Sequence, residues 1–147
     1  MKLNLNHAND YLAGYSNLET RREFATDKLV DSYVIGVVST DQITEIIANV
    51  GTFEYHKNEP SSMLKGWHDL VASNCTLKIK ALDVYVLAGG LAKNLITIEQ
   101  FSQLIKGSSQ IFDTKTLVDS VTNSGFIVDR VWYGPYQWVV NIQARKI

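Results

Sequence analysis

The chain has 147 residues, of which 46% are hydrophobic, enough to bury a core and too apolar for a disordered chain. Its 14 basic and 15 acidic residues leave a net charge of -1, so no global field draws it onto phosphate backbones. The single cysteine, Cys75, excludes an internal disulfide framework and fits a reducing compartment. The opening is polar rather than a secretory segment, and the apolar runs 33–38 and 82–91 are far too short to cross a membrane. A cytoplasmic protein without a membrane partner is expected.

In chain order, Asn4 to Asp10 reads as a frayed asparagine-rich arm. Ser16 with Glu19 and Thr20 with Glu23 are overlapping capping pairs for a helix running toward Leu29. Arg21, Arg22 and Lys28 interleave on it with Glu19, Glu23 and Asp27, as on a solvated face. Ser39 with Gln42 then caps a stretch in which Ile43, Ile46, Ile47 and Val50 recur at helical spacing before Gly51. Pro60 opens a further helix, with Met63, Leu64, Trp67, Leu70 and Val71 on one stripe. Residues 76–80 alternate as a short half-exposed strand.

The apolar run 82–91 is taken as helix because of its length. Thr97 with Gln100 caps the next helix, whose stripe is Ile98, Phe101, Leu104 and Ile105. Asp113 caps another that carries Leu117, Val118 and Val121 and stops near Asn123. Residues 126–133 and 136–143 flank Gly134-Pro135 as a hairpin. Asp31-Ser32-Tyr33-Val34-Ile35 resembles Asp83-Val84-Tyr85-Val86-Leu87 at a spacing of about 50 residues, as in a degenerate repeat.

That order predicts an α+β fold: a mostly helical body, with a C-terminal winged-helix unit over residues 81–147 and an N-terminal unit of similar build over residues 1–80. With a tight hairpin, Tyr133 faces Tyr136, and Ile127, Val131, Trp138, Val140 and Ile142 share their core face. Arg130, Trp132, Gln137, Val139 and Asn141 then face solvent. The helix after Asp113 becomes the reading helix, offering Lys115, Thr116, Ser120 and Asn123 to base edges or phosphates. Asp113 and Asp119 on the same surface oppose phosphate contact.

The candidate binding residues are therefore Lys115, Thr116, Ser120, Asn123, Arg130, Trp132 and Gln137. The function expected from them is non-enzymatic: winged-helix binding of duplex DNA in a regulatory or replication role. The alternative is a protein partner, gripped by an inhibitor or assembly adaptor through the aromatic face of the wing. Neither zinc spacings nor a phosphate loop is legible, so no cofactor, metal or catalytic residue is expected, and Cys75 reads as a small buried hydrophobe.

Overall fold

A computed structural model describes residues 1–6, 8, 10–19, 28–29, 43–56 and 59–147. Among them, strands β1 (Lys2–Leu5), β2 (Ser16–Glu19), β3 (Lys28–Leu29) and β4 (Ile43–Ala48) precede helix α1 (Pro60–Leu70) and the long strand β5 (Val71–Leu82). Helices α2 (Val84–Ala92), α3 (Ile98–Ile105) and α4 (Thr114–Asn123) follow, and β6 (Ile127–Tyr133) and β7 (Val139–Arg145) close the chain. The strands form one seven-stranded sheet in the order β3-β2-β1-β4-β5-β7-β6. Strands β1 to β5 are parallel, while β7 is antiparallel to both β5 and β6.

The helical winged-helix expectation is overturned by this sheet. Residues 43–48 form a strand, with Ile46 and Ala48 in the core and Ile47 partly buried on the other face, an apolar run that also matches helical spacing. Isoleucine's branched Cβ favours the extended form. Ser16 and Glu19 lie within β2 rather than capping a helix, and Asn4 lies buried within β1 rather than in an arm. The run 82–91 divides at Asp83, which ends β5 and caps α2 through the backbone N–H groups of Tyr85 and Val86. The capping pairs Thr20 with Glu23 and Ser39 with Gln42, the basic spot at Arg21 and Arg22, and the N-terminal copy of the suggested repeat lie outside the described residues.

Several local readings hold. Pro60 opens α1, which buries Met63, Leu64 and Trp67. Thr97 and Gln100 complete the capping box of α3, at 3.1 and 2.8 Å. Asp113 accepts from the Thr116 N–H, and α4 buries Leu117 and Val121. The last turn of α4 leads into Gly125 at φ +99°, where an added Cβ would stand 2.9 Å from the His68 ring.

The terminal hairpin exists but is not a wing. β7 pairs from Thr76↔Arg145 to Leu82↔Val139 along β5, which makes it an interior strand with Val139 to Ile142 all buried. Its partner β6 is the sheet edge, and Val131 lies opposite Ile142 rather than Trp138. Residues 134–138 form a longer turn than expected, tied by the Asn141 carboxamide donating to the Gly134 carbonyl at 2.7 Å. A bulge between Val128 and Arg130 shifts the alternation. Ile127, Val131 and Tyr133 are consequently exposed, Trp132 is half-buried and Val139 and Asn141 are buried, against the expected faces, whereas Arg130 is exposed and Val140 and Ile142 are in the core as expected.

The two faces of the sheet differ. Leu3, Leu5, Leu18, Ile46, Ala48, Leu77 and Ile79 join the α1 and α4 residues in one apolar core, where the Trp67 ring lies 5.5 Å from that of Phe53. Lys2 and Lys78 reach the Glu45 carboxylate from the strands on either side of β4, at 3.3 and 2.9 Å. Burial pushes the Glu45 carboxyl upward, but hydrogen bonds from Lys78, Tyr15 and Lys2 together hold it below the usual carboxylate range. Among the described residues no helix is long and apolar enough to cross a membrane.

Candidate functional site

In open sheets of this kind, ligands sit beyond the carboxyl ends of the strands, where the strand order reverses. Here that switch point lies at β1, which has β2 on one side and β4 on the other. Residues 6–15 connect β1 to β2, and they open with two left-handed residues, Asn6 at φ 51° and Ala8 at φ 49°. Asparagine tolerates this conformation, whereas alanine pays about 1–2 kcal/mol for it. The loop is held there by its own amides: Asn6 N–H donates to the Leu18 carbonyl at 2.8 Å, and Ala8 N–H donates to the Glu19 carboxylate at 3.0 Å.

Glu19 ends β2 and is wholly buried beneath that loop. Beside it, three asparagines on adjacent strands form a chain of side-chain amides. The Asn49 carboxamide, just past β4, donates to Asn4 Oδ1 and to the Leu5 carbonyl, both at 2.8 Å. Asn4 in turn donates to Asn17 Oδ1 at 2.7 Å and to the Asp10 carbonyl at 3.0 Å. Asn17 accepts from Leu12 N–H and donates to the Leu12 and Tyr15 carbonyls, at 3.0, 3.2 and 3.1 Å. A connection without helical hydrogen bonds needs such partners for its backbone, and these carboxamides supply them.

The same edge continues past β5. Asp83 is buried; its Oδ1 accepts from Tyr85 and Val86 N–H, and its Oδ2 from the Thr114 N–H and hydroxyl and, at 3.4 Å, from the Tyr133 hydroxyl. One carboxylate thus joins the starts of α2 and α4 to the end of β6. Asp83 N–H donates to the Trp138 carbonyl at 2.8 Å, which brings the β6–β7 turn against the end of β5. Between that turn and α3 lies a cavity of about 540 Å³.

The residues expected to bind from sequence are dispersed. Lys115 is exposed on α4 and paired with Asp119 at 2.7 Å, and its ammonium is pushed up by that partner. Thr116 and Ser120 serve the helix itself, through the Asp113 cap and a Ser120 hydroxyl bonded to the Thr116 carbonyl, while Asn123 is exposed at its end. Arg130 stacks over the Trp132 ring at 4.5 Å on the edge strand. Gln137 is exposed in the β6–β7 turn, apart from those residues, and lines a separate hollow with Tyr85 and Lys93. Cys75 is buried, and burial pushes its thiol up to about 11, so it stays protonated near neutrality.

Asn4, Asn17, Glu19 and Asn49 were passed over. The Leu3-Asn4-Leu5 alternation was the available signal, since it places one polar residue between two core positions of a strand. Reading residues 43–50 as a helix hid Asn49.

No protein-family model matches the sequence, and no curated protein matches it. The fold matches solved structures along nearly the whole chain. An S-adenosylmethionine-dependent methyltransferase from Thermotoga maritima, described as a possible histamine N-methyltransferase, superposes with a TM-score of 0.69 at 16% identity, over 99% of this chain and 81% of that one. A second, from Mesorhizobium loti, gives 0.70 at 12% identity over 99% and 90%. Magnesium protoporphyrin IX methyltransferase from Synechocystis, with S-adenosylhomocysteine bound, gives 0.63 at 10% over 100% and 74%. The chain therefore has a Rossmann-like α/β fold. Because the hairpin is built into the central sheet and is not a wing, the winged-helix, non-enzymatic reading is withdrawn. Duplex DNA and a protein partner go with it.

Proposed function

We propose that the chain binds S-adenosylmethionine at the ends of β1, β2 and β4 and transfers its methyl group to a small-molecule acceptor. The observation that carries this reading is the strained loop at residues 6 and 8, closed onto a buried acid at the switch point. Backbone strain persists where surrounding structure enforces it, and such places cluster at ligand sites. The fold neighbours named above favour S-adenosylmethionine over other nucleosides.

The residues present fit the ligand. An acid after the second strand is what a ribose diol requires in doubly wound folds, and Glu19 would accept from those hydroxyls. The backbone at Asn6 and Ala8 would receive the remainder of the ligand, with Asn49 securing the loop from the β4 side. One departure stands: residues 6 and 8 carry side chains where glycine would turn without cost. The bound ligand supplies a methyl group on a sulfonium, whose C–S electron pair stays with sulfur as an acceptor lone pair forms the new bond. This chain's part is to position, since holding two reactants in line removes much of the entropic barrier. The carboxamide chain fixes the loop, and the Asp83 hub fixes the β6–β7 turn on the acceptor side.

Isothermal titration with S-adenosylhomocysteine tests the assignment. Wild type should bind one equivalent. Glu19→Gln keeps an acceptor for Ala8 N–H but loses the charge, and should bind about tenfold more weakly, or about 1.4 kcal/mol. No heat at millimolar ligand, in a protein with an intact melting transition, would overturn the reading.

A further inference from the structure

The cavity beside β5 has walls unlike the rest of the edge. Leu95, Ile96 and Leu104 supply an apolar floor, and the rings of Tyr136 and Trp138 stand parallel, 3° apart in plane with centroids 5.4 Å apart. Helix α3 is amphipathic yet buries none of its residues, and Leu95, Ile98 and Tyr136 are more than half exposed. Helix α3 presents Glu99, Gln100, Gln103 and Leu104 to a space of about 540 Å³, within the range of small-molecule sites. Among the described residues that line it, Glu99 is the one carboxylate and no lysine or arginine is present; Lys93 lies in a separate hollow beyond Leu95. Both the carboxylate and the electron-rich ring faces attract a cation.

We propose that this cavity holds the methyl acceptor and selects a planar ring that carries a protonated amine. The role as acceptor site rests on the methyltransferase reading; the ligand class rests on the walls alone. The ring stacks on the Tyr136–Trp138 pair, in the offset geometry aromatic faces prefer. The ammonium meets Glu99 on the first turn of α3. Trp138 is bonded to the end of β5, which stands two strands, about 10 Å, from β1.

Calorimetric titration with three probes tests this without cofactor. Tryptamine should bind, while indole-3-acetate, with the same ring and opposite charge, and cyclohexylamine, with the charge and no flat ring, should each bind at least tenfold more weakly. Glu99 is exposed, so Glu99→Gln leaves the fold intact, and it should bring tryptamine down to the level of indole-3-acetate. Equal binding of the two indoles, binding indifferent to Glu99→Gln, or no binding at all would overturn the proposal. So would a dimer that Leu95→Lys dissociates while tryptamine fails to bind, since the cavity would then be a contact between two copies. Glu99-dependent tryptamine binding in a protein that ignores S-adenosylhomocysteine would uphold the ligand class and sink the methyltransferase reading.

Discussion

The two ends of the sheet's carboxyl edge are built by opposite means. Above β1, β2 and β4 the polar groups Asn4, Asn17 and Glu19 are buried and bonded, and they hold a strained loop. Above β5 and β7 the surface is aromatic and aliphatic, half-exposed, and carried on a helix with no buried residue. The first end spends folding free energy on a fixed geometry, as a site for one invariant ligand requires. The second leaves apolar surface open, so that a ligand completes it. A fold shared with enzymes of different acceptors is expected to divide its labour this way.

Substitutions separate the ends. The largest effect should come from Trp67→Ala, which empties the core beneath both: about 3–5 kcal/mol of stability is lost, measured by denaturant unfolding, and both ligand sites fail together. Retained tryptamine binding with a normal melting transition would mean the acceptor end does not depend on that core. Asn17→Ala should cost about 1–3 kcal/mol, because the Leu12 and Tyr15 backbone groups and Asn4 lose partners. It should abolish binding of S-adenosylhomocysteine and spare the cavity, and equal damage to both would erase the proposed division.

Glu45 provides a smaller, pH-dependent contribution on the polar face, near the amino ends of β1 and β4. Its folded pKa is depressed, so its stabilisation is present above the unfolded value near 4.5 and fades as pH falls through the folded value. Glu45→Gln should cost about 1 kcal/mol at neutral pH and nothing once the wild-type carboxyl is protonated, as read from paired unfolding curves. A constant difference across that range would assign the effect to packing. The smallest change in stability should follow Trp138→Ala, under about 1 kcal/mol for a half-exposed ring. Tryptamine binding should nevertheless vanish.

What was legible in the sequence follows the same line. Local chemistry announced α1, α3 and α4, because Pro60, the Thr97–Gln100 box and the Asp113 cap act within one turn. The hairpin was visible, but its register depended on pairing with β5, some 60 residues away. Residues 76–80 were read as part of a strand, but β1, β2 and β4 were missed because their bonds are made to distant segments, and the partly buried Ile47 beside Ile46 let Ile43, Ile46 and Ile47 mimic a helix stripe. The proposed nucleoside site is an assembly of Asn4, Asn17, Glu19 and Asn49 from three strands, and no short spacing reports it.

The most direct test is to follow backbone and side-chain amide resonances of isotope-labelled protein while S-adenosylhomocysteine is added. The expected result is saturable shifts at the Asn6 and Ala8 backbone and at the Asn49 carboxamide, with the Trp138 indole N–H little changed. Spectra unaltered at millimolar ligand, or shifts confined to residues 95–104 and 136–138, would contradict a nucleoside site at the β1–β4 switch point.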